Sequence, residues 1–295
     1  MSKVLGGCGK SDPRLGGAIC PTEQDVRLWL IRRGTYIPFD ATLTDLQDEI
    51  KAGNIIGGLT WQEISHEDQE ASIVRSSQGT ATKRSDGIKG WSVSFDTTPC
   101  RDNEWSKLDG SREWGVAWEN KQGQITGWAK RNDDTWTGFD CYVYTDQYQN
   151  LVTSEGYGTT IHIELEVPSN ASWRTDKVLV DGDDFDYSNI DAIEGVGFTF
   201  NPLPIVGDTE IKVVVTGQCN DNFISLLDET TLKLFQNGTE ITITAVSEDP
   251  ASKTYTLTVP ALTAGDYVLE INNGTDKVVG IDESFYAGEV EFTIS

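Results

Sequence analysis

Along most of the chain, apolar and polar positions alternate with a period of two, the spacing that predicts strands with one buried face. The clearest case runs from Ser111 to Asp146. Trp114, Val116 and Trp118 share one side of the pattern, the polar stretch Glu119 to Gln124 with Gly123 predicts a turn, and Gln124 to Trp128 completes a hairpin. A third run places Phe139, Cys141 and Val143 on one face and Asp140, Tyr142 and Tyr144 on the other. Val26 to Arg32, Leu59 to Glu67, Gly87 to Phe95 and Tyr157 to Pro168 read as further strands. In the last of these Ile161, Ile163 and Leu165 oppose His162, Glu164 and Glu166.

One stretch breaks the period. Between Asp40 and Asn54, Leu43, Leu46 and Ile50 fall at helical spacing, Thr42 and Asp45 form a capping-box-like start, and Gly53 supplies the stop. Residues 1–24 are Gly-rich, with Pro13 and Pro21, and read as an extended arm. Arg75 to Arg84 reads as a long, mobile, polar loop joining two strands, and Pro99 to Asp109 as irregular. Asn201-Pro202-Leu203-Pro204 looks like a linker. After it come short β runs rich in Thr and Val: Glu210 to Thr216, Leu232 to Phe235, Glu240 to Val246, Thr254 to Val259, Tyr267 to Ile271 and Val290 to Ile294. Asn237-Gly238 and Asn273-Gly274 read as hairpin turns. The expected fold is therefore mostly β: an arm (1–24), a sandwich- or barrel-like domain with one flanking helix (25–202), and a second β-sandwich (203–295).

Composition sharpens this division. All nine tryptophans precede residue 174. The chain carries 23 basic and 47 acidic residues, a net charge of −24, which repels phosphate backbones and anionic lipid headgroups. From Leu203 onward there are 15 acidic and 4 basic residues, net −11, which leaves −13 for the longer first part.

Chemistry is sparse. Five cysteines, Cys8, Cys20, Cys100, Cys141 and Cys219, include no C-x-x-C pair, so neither a zinc site nor a disulfide framework is expected, and a reducing cytosol fits. No run reaches membrane-spanning length, and the sequons at Asn170, Asn237 and Asn273 read as chance. Gly9-Lys10-Ser11 lacks the glycine that a phosphate loop needs five places earlier. Asp181 to Asp186 fails calcium-loop spacing, because Phe185 falls where a ligand belongs. His66 and His162 are the only histidines, both on strand-like polar runs, so surface roles are expected. With no nucleophile, base or metal set in recognisable context, the reading is a non-enzyme without metal or cofactor.

Two resemblances add to this. Val213-Val214-Val215-Thr216-Gly217, the Leu232 to Ile243 hairpin, and Leu257 to Leu269, with its Pro260-Ala261-Leu262-Thr263-Ala264-Gly265-Asp266-Tyr267 core, resemble bacterial and phage immunoglobulin-like modules of the TIG-like sort. The cysteine pair of antibody domains is absent. In layout the first two hundred residues are similar to tailed-phage tail tube proteins: a β-sandwich with one flanking helix (here Thr42 to Ala52), a flexible arm (1–24), and a long loop that reaches the next ring (Arg75 to Arg84).

The resemblance implies a virion structural protein, assembled in the bacterial cytoplasm as a homo-oligomeric ring or tube with other virion proteins. An outward immunoglobulin-like module would decorate it, and DNA would pass without specific binding. On this reading Arg75, Lys83 and Arg84 are inter-subunit loop residues, and Glu63, Glu67, Glu164 and Glu166 face the lumen. A capsid decoration protein and a carbohydrate-binding, adhesin-like virion module, which would use exposed Trp and Tyr faces, are the alternatives.

Overall fold

A computed structural model describes residues 25–295 apart from 76, 78, 80, 97–98, 130–133, 147–157, 183–184, 186, 188–189, 191 and 282–283. The expected arm therefore lies outside the described residues, as do 183, 184 and 186 of the Asp181 to Asp186 stretch. The chain is mostly β, with 51% strand and 11% helix. It divides into two units, Met1–Leu46 with Asn54–Ile190, and Gln47–Gly53 with Asp191–Ser295.

Up to Ile190 the elements are β1 (Asp25–Arg32), β2 (Ile37–Pro38), α1 (Leu43–Lys51), β3 (Ile55–Thr60), β4 (Glu63–His66), β5 (Ser72–Arg75), β6 (Ala81–Ser85), β7 (Gly90–Asp96) and α2 (Pro99–Trp105). They continue with β8 (Trp114–Asn120), β9 (Ile125–Trp128), β10 (Thr135–Trp136), β11 (Phe139–Thr145), β12 (Gly158–Leu165), α3 (Val167–Thr175) and β13 (Lys177–Val180). A nine-stranded sheet runs β13-β9-β8-β11-β12-β7-β4, and β1 pairs with both β8 and β3.

The alternation seen in sequence becomes a core. Leu28 and Leu30 of β1, Val93 and Phe95 of β7, Trp114, Val116 and Trp118 of β8, Phe139, Cys141 and Val143 of β11, and Ile161, Ile163 and Leu165 of β12 form one buried cluster. Helix α1 starts as expected, with the Thr42 amide donating to Asp45 Oδ2 at 2.7 Å and the Asp45 amide to Thr42 Oγ1 at 3.3 Å. Leu46 and Ile50 are buried, and Gly53 at φ +72° follows the last turn.

On the opposite side of β1 the core turns polar. Trp29 Nε1 donates to Glu119 Oε2 at 2.7 Å, and Glu119 is 1% exposed. The Arg27 guanidinium donates to the carbonyls of Gly58 (3.0 Å), Tyr187 (3.4 Å) and Ile190 (2.9 Å), with Glu119 at 3.7 Å. A buried charge survives only when paired and hydrogen-bonded in this way. Gly58 has φ +68°, and a Cβ there would collide with the Ile190 carbonyl and the guanidinium, so glycine is what admits Arg27.

Several expectations change. Leu59 to Glu67 is two strands that diverge at Trp61, because β3 pairs with β1 while β4 pairs with β7. Arg75 to Arg84 is not a loop: β5 and β6 pair as a two-stranded hairpin of their own. Pro99 opens helix α2, and Pro168 lies in the first turn of α3, where its missing N–H costs nothing. The one flanking helix thus has two companions among the described residues, α2 shorter and α3 of the same nine-residue length. Cys100 and Cys219 each take part in a disulfide, which overturns the expectation of a chain without disulfides. Cys141 is free and buried, and burial pushes its thiol pKa well above the usual range.

The second unit contains β14 (Glu194–Phe200), β15 (Glu210–Gly217), β16 (Leu232–Gln236), β17 (Thr239–Ile241), β18 (Ala245–Asp249), β19 (Thr254–Thr258), β20 (Gly265–Ile271), β21 (Val279–Ile281), β22 (Ser284–Ala287) and β23 (Glu289–Ile294). A six-stranded sheet, β18-β19-β15-β14-β22-β21, and a four-stranded sheet, β17-β16-β20-β23, contribute to one apolar core that includes Val213, Leu234, Tyr255, Leu257, Tyr267 and Leu269. Asn237-Gly238 is a hairpin turn with both residues at positive φ. Asn273-Gly274 is not, since β20 pairs with β16 and β23 instead of the strand that follows. The Asn201 to Pro204 segment joins the paired strands β14 and β15, so the second unit begins upstream of the expected linker.

Candidate functional site: a projecting hairpin and the sheet that holds it

The hairpin β5–β6 buries neither of its faces. Ile73 is 58% exposed and Val74 39%, Arg75 and Lys83 are exposed, and Lys83 pairs with Asp86. The side chain of Arg84 lies outside the described residues. An isolated two-stranded hairpin is marginal in water, so its base must be held by something else.

The base continues the β4–β7 ladder beyond its last named residues. The Glu67 amide donates to the Gly90 carbonyl at 2.9 Å and the Gln69 amide to Ile88 at 2.8 Å. Asn170, buried on α3, accepts from the Lys89 amide through Oδ1 at 3.0 Å and donates to the Gly87 carbonyl through Nδ2 at 2.6 Å. Gly87 is needed here because a Cβ would run into the Gln69 carbonyl.

Side chains grip the same base from both faces of the sheet. On the outer face the rows are Tyr144, His162, Ser92 and Ser65, and Thr160, Ser94 and Glu63, taken across β11, β12, β7 and β4 as far as each row reaches. Glu67 Oε2 lies 2.8 Å from His162 Nδ1, and Asp146 Oδ2 lies 3.1 Å from Nε2. Burial alone would lower the His162 pKa, but the bonds to Glu67 and Asp146 outweigh it and raise it. Alternation places His66 and Asp68 on the inner face. There Lys89 Nζ donates to Asp68 Oδ2 at 2.7 Å, lies 3.3 Å from His66 Nδ1, and sits over the Trp91 ring at 5.6 Å. Burial would raise the Asp68 pKa, yet the Lys89 and Gly90 hydrogen bonds bring it below the usual carboxylate value.

Of the four acidic residues singled out in the sequence, Glu63 is exposed at the β4 edge, Glu164 is half-buried on β12, and Glu67 is the His162 partner. Glu166 does not join them. It lies beyond β12 and pairs with Arg33 at 2.8 Å. Sequence reading missed Asp146 and Asn170 as parts of the base, since their partners lie 16 and 83 positions away, and both histidines turn out to be structural members of it.

No group of three or more His, Cys, Asp or Glu among the described residues is placed to hold a metal ion, and no described helix is long and apolar enough to cross a membrane. No family model matches the chain, and no curated protein is similar to it.

Proposed function

We propose that the chain is a non-enzymatic structural protein of a phage virion: a tail tube-like subunit that stacks in rings around a DNA-conducting lumen, with its second unit an outward, immunoglobulin-like decoration. The observation that carries this reading is the projecting hairpin, whose apolar Ile73 and Val74 have no cover within the described chain although its base is firmly held. A neighbouring copy supplies that cover and makes the hairpin stable.

Three further features support the reading. The net charge of −24 lets a DNA conduit repel the polymer instead of trapping it by counterion release. In the second unit the Tyr267 hydroxyl donates to the Thr263 carbonyl at 2.8 Å and accepts from the Thr263 amide at 3.0 Å, the tyrosine-corner arrangement found in immunoglobulin-like sandwiches. Disulfide-bonded Cys100 and Cys219 suit a particle that works outside the cell.

The test is electron microscopy of the purified full-length protein in negative stain, with light scattering across concentration. Rings or tubes with a central channel are expected. A protein that stays monomeric at high concentration defeats the reading, and assemblies without a channel point instead to a capsid decoration protein.

A further inference from the structure

From the geometry at the hairpin base we infer that Glu67–His162–Asp146 on one face and Asp68–Lys89 on the other form a two-sided protonation latch, which fixes the pose of the hairpin only within a window of pH. This rests on the reading of the hairpin as the assembly element.

Each face is held by a charged pair. Ionised carboxylates only accept hydrogen bonds, so with one at each ring nitrogen His162 donates from both and is an imidazolium. On the inner face Lys89 donates to ionised Asp68 at 2.7 Å. Proton loss from His162 leaves one carboxylate facing a nitrogen lone pair. Proton gain at Asp68 removes the counter-charge that holds Lys89 at 2.7 Å. Either change loosens the same short segment.

The main chain that carries both partner carboxylates of His162 is held in place, at Glu67 by its amide hydrogen bond to Gly90 and at Asp146 by its amide hydrogen bond to the Thr160 carbonyl at 2.9 Å, so His162 ties two paired segments together. Glu164 on β12 and Glu63 on β4 add negative charge to the outer face. From β11, Tyr144 is the cross-strand neighbour of His162, while Tyr142 lies under the Arg112 guanidinium at 4.7 Å. On the inner face Asp68 is the counter-charge to Lys89.

The sign follows from the raised His162 pKa. Its contribution is fully present below the unfolded histidine value of about 6.5 and is lost as pH rises through the folded value. The lowered Asp68 value works at the other limit, its contribution being lost as pH falls through the folded value.

Hydrogen–deuterium exchange on the full-length protein tests this, because mass spectrometry reads both the histidine ring C–H groups and the amides whether or not the protein assembles. Expected is a His162 midpoint above that of unfolded chain, falling toward it in Glu67→Gln and in Asp146→Asn. As His162 loses its proton, amides 67–69 should exchange about two- to fivefold faster than control amides in β16, once the intrinsic pH effect is removed. In His162→Gln that step disappears. Both carboxylate positions are exposed, so these variants keep the fold.

A His162 midpoint unmoved by the two carboxylate variants, or amide protection that ignores the His162 midpoint, overturns the latch. Light scattering over the same pH range is the second readout. Assembly that persists unchanged while the base loosens overturns its control of the hairpin. A base that loosens as expected in a protein that assembles at no pH leaves the latch standing and removes the tube reading.

Discussion

Arg27 and Gly58 show how much of the first unit depends on two side-chain choices. Truncation at Arg27 takes the guanidinium away from Glu119 inside the core and removes a donor from the carbonyls of Gly58, Tyr187 and Ile190. Arg27→Met is expected to destabilise by about 3–5 kcal/mol in urea unfolding, and adding Glu119→Gln should recover at least about 1 kcal/mol by removing the stranded charge. Gly58→Ala should cost about 1–3 kcal/mol from backbone strain alone. Little of this was legible in the sequence. Glu119 reads locally as the first residue of a polar turn, and only its long-range partners, Trp29 ninety positions away and Arg27, make it a core residue.

Among the elements, strands with one buried and one solvated face were the most legible, as in β11 and β12, where every second residue meets the core. The hairpin β5–β6 was not, because it buries nothing and its sequence therefore carries no alternation. Helices α2 and α3 were hidden behind prolines that act as openers of a helix and so resemble breakers. At the candidate site Glu67 and His162 were each visible as outward residues, but their meeting with Asp146 depends on the strand order β11-β12-β7-β4, which no local pattern encodes. The exposure of Ile73 and Val74 gives a direct test at this scale. The double variant Ile73→Asp, Val74→Asp should unfold within about 0.5 kcal/mol of wild type while light scattering shows assembly lost. Retained assembly would mean that the hairpin is not the contact.

For the whole molecule, the division at Asp191 matters more than the proline-bearing segment at Asn201 to Pro204. Strand β14 lies between β15 and β22 in the six-stranded sheet, and the core of the second unit is built from residues 196 onward. A fragment of residues 191–295 should therefore fold cooperatively in thermal melts. One of residues 203–295, which lacks β14, should melt at lower temperature or not fold, because β15 and β22 lose their common neighbour. Equal stability of the two fragments would show that β14 is dispensable. The placement of the tryptophans has a practical corollary, since all nine belong to the first unit and the second offers tyrosines such as Tyr255 and Tyr267 in their place. Indole fluorescence is therefore a private signal of one half of the chain. A denaturation curve followed at tryptophan emission, laid over one followed by far-ultraviolet dichroism, separates the melting of the two halves without any label or cut.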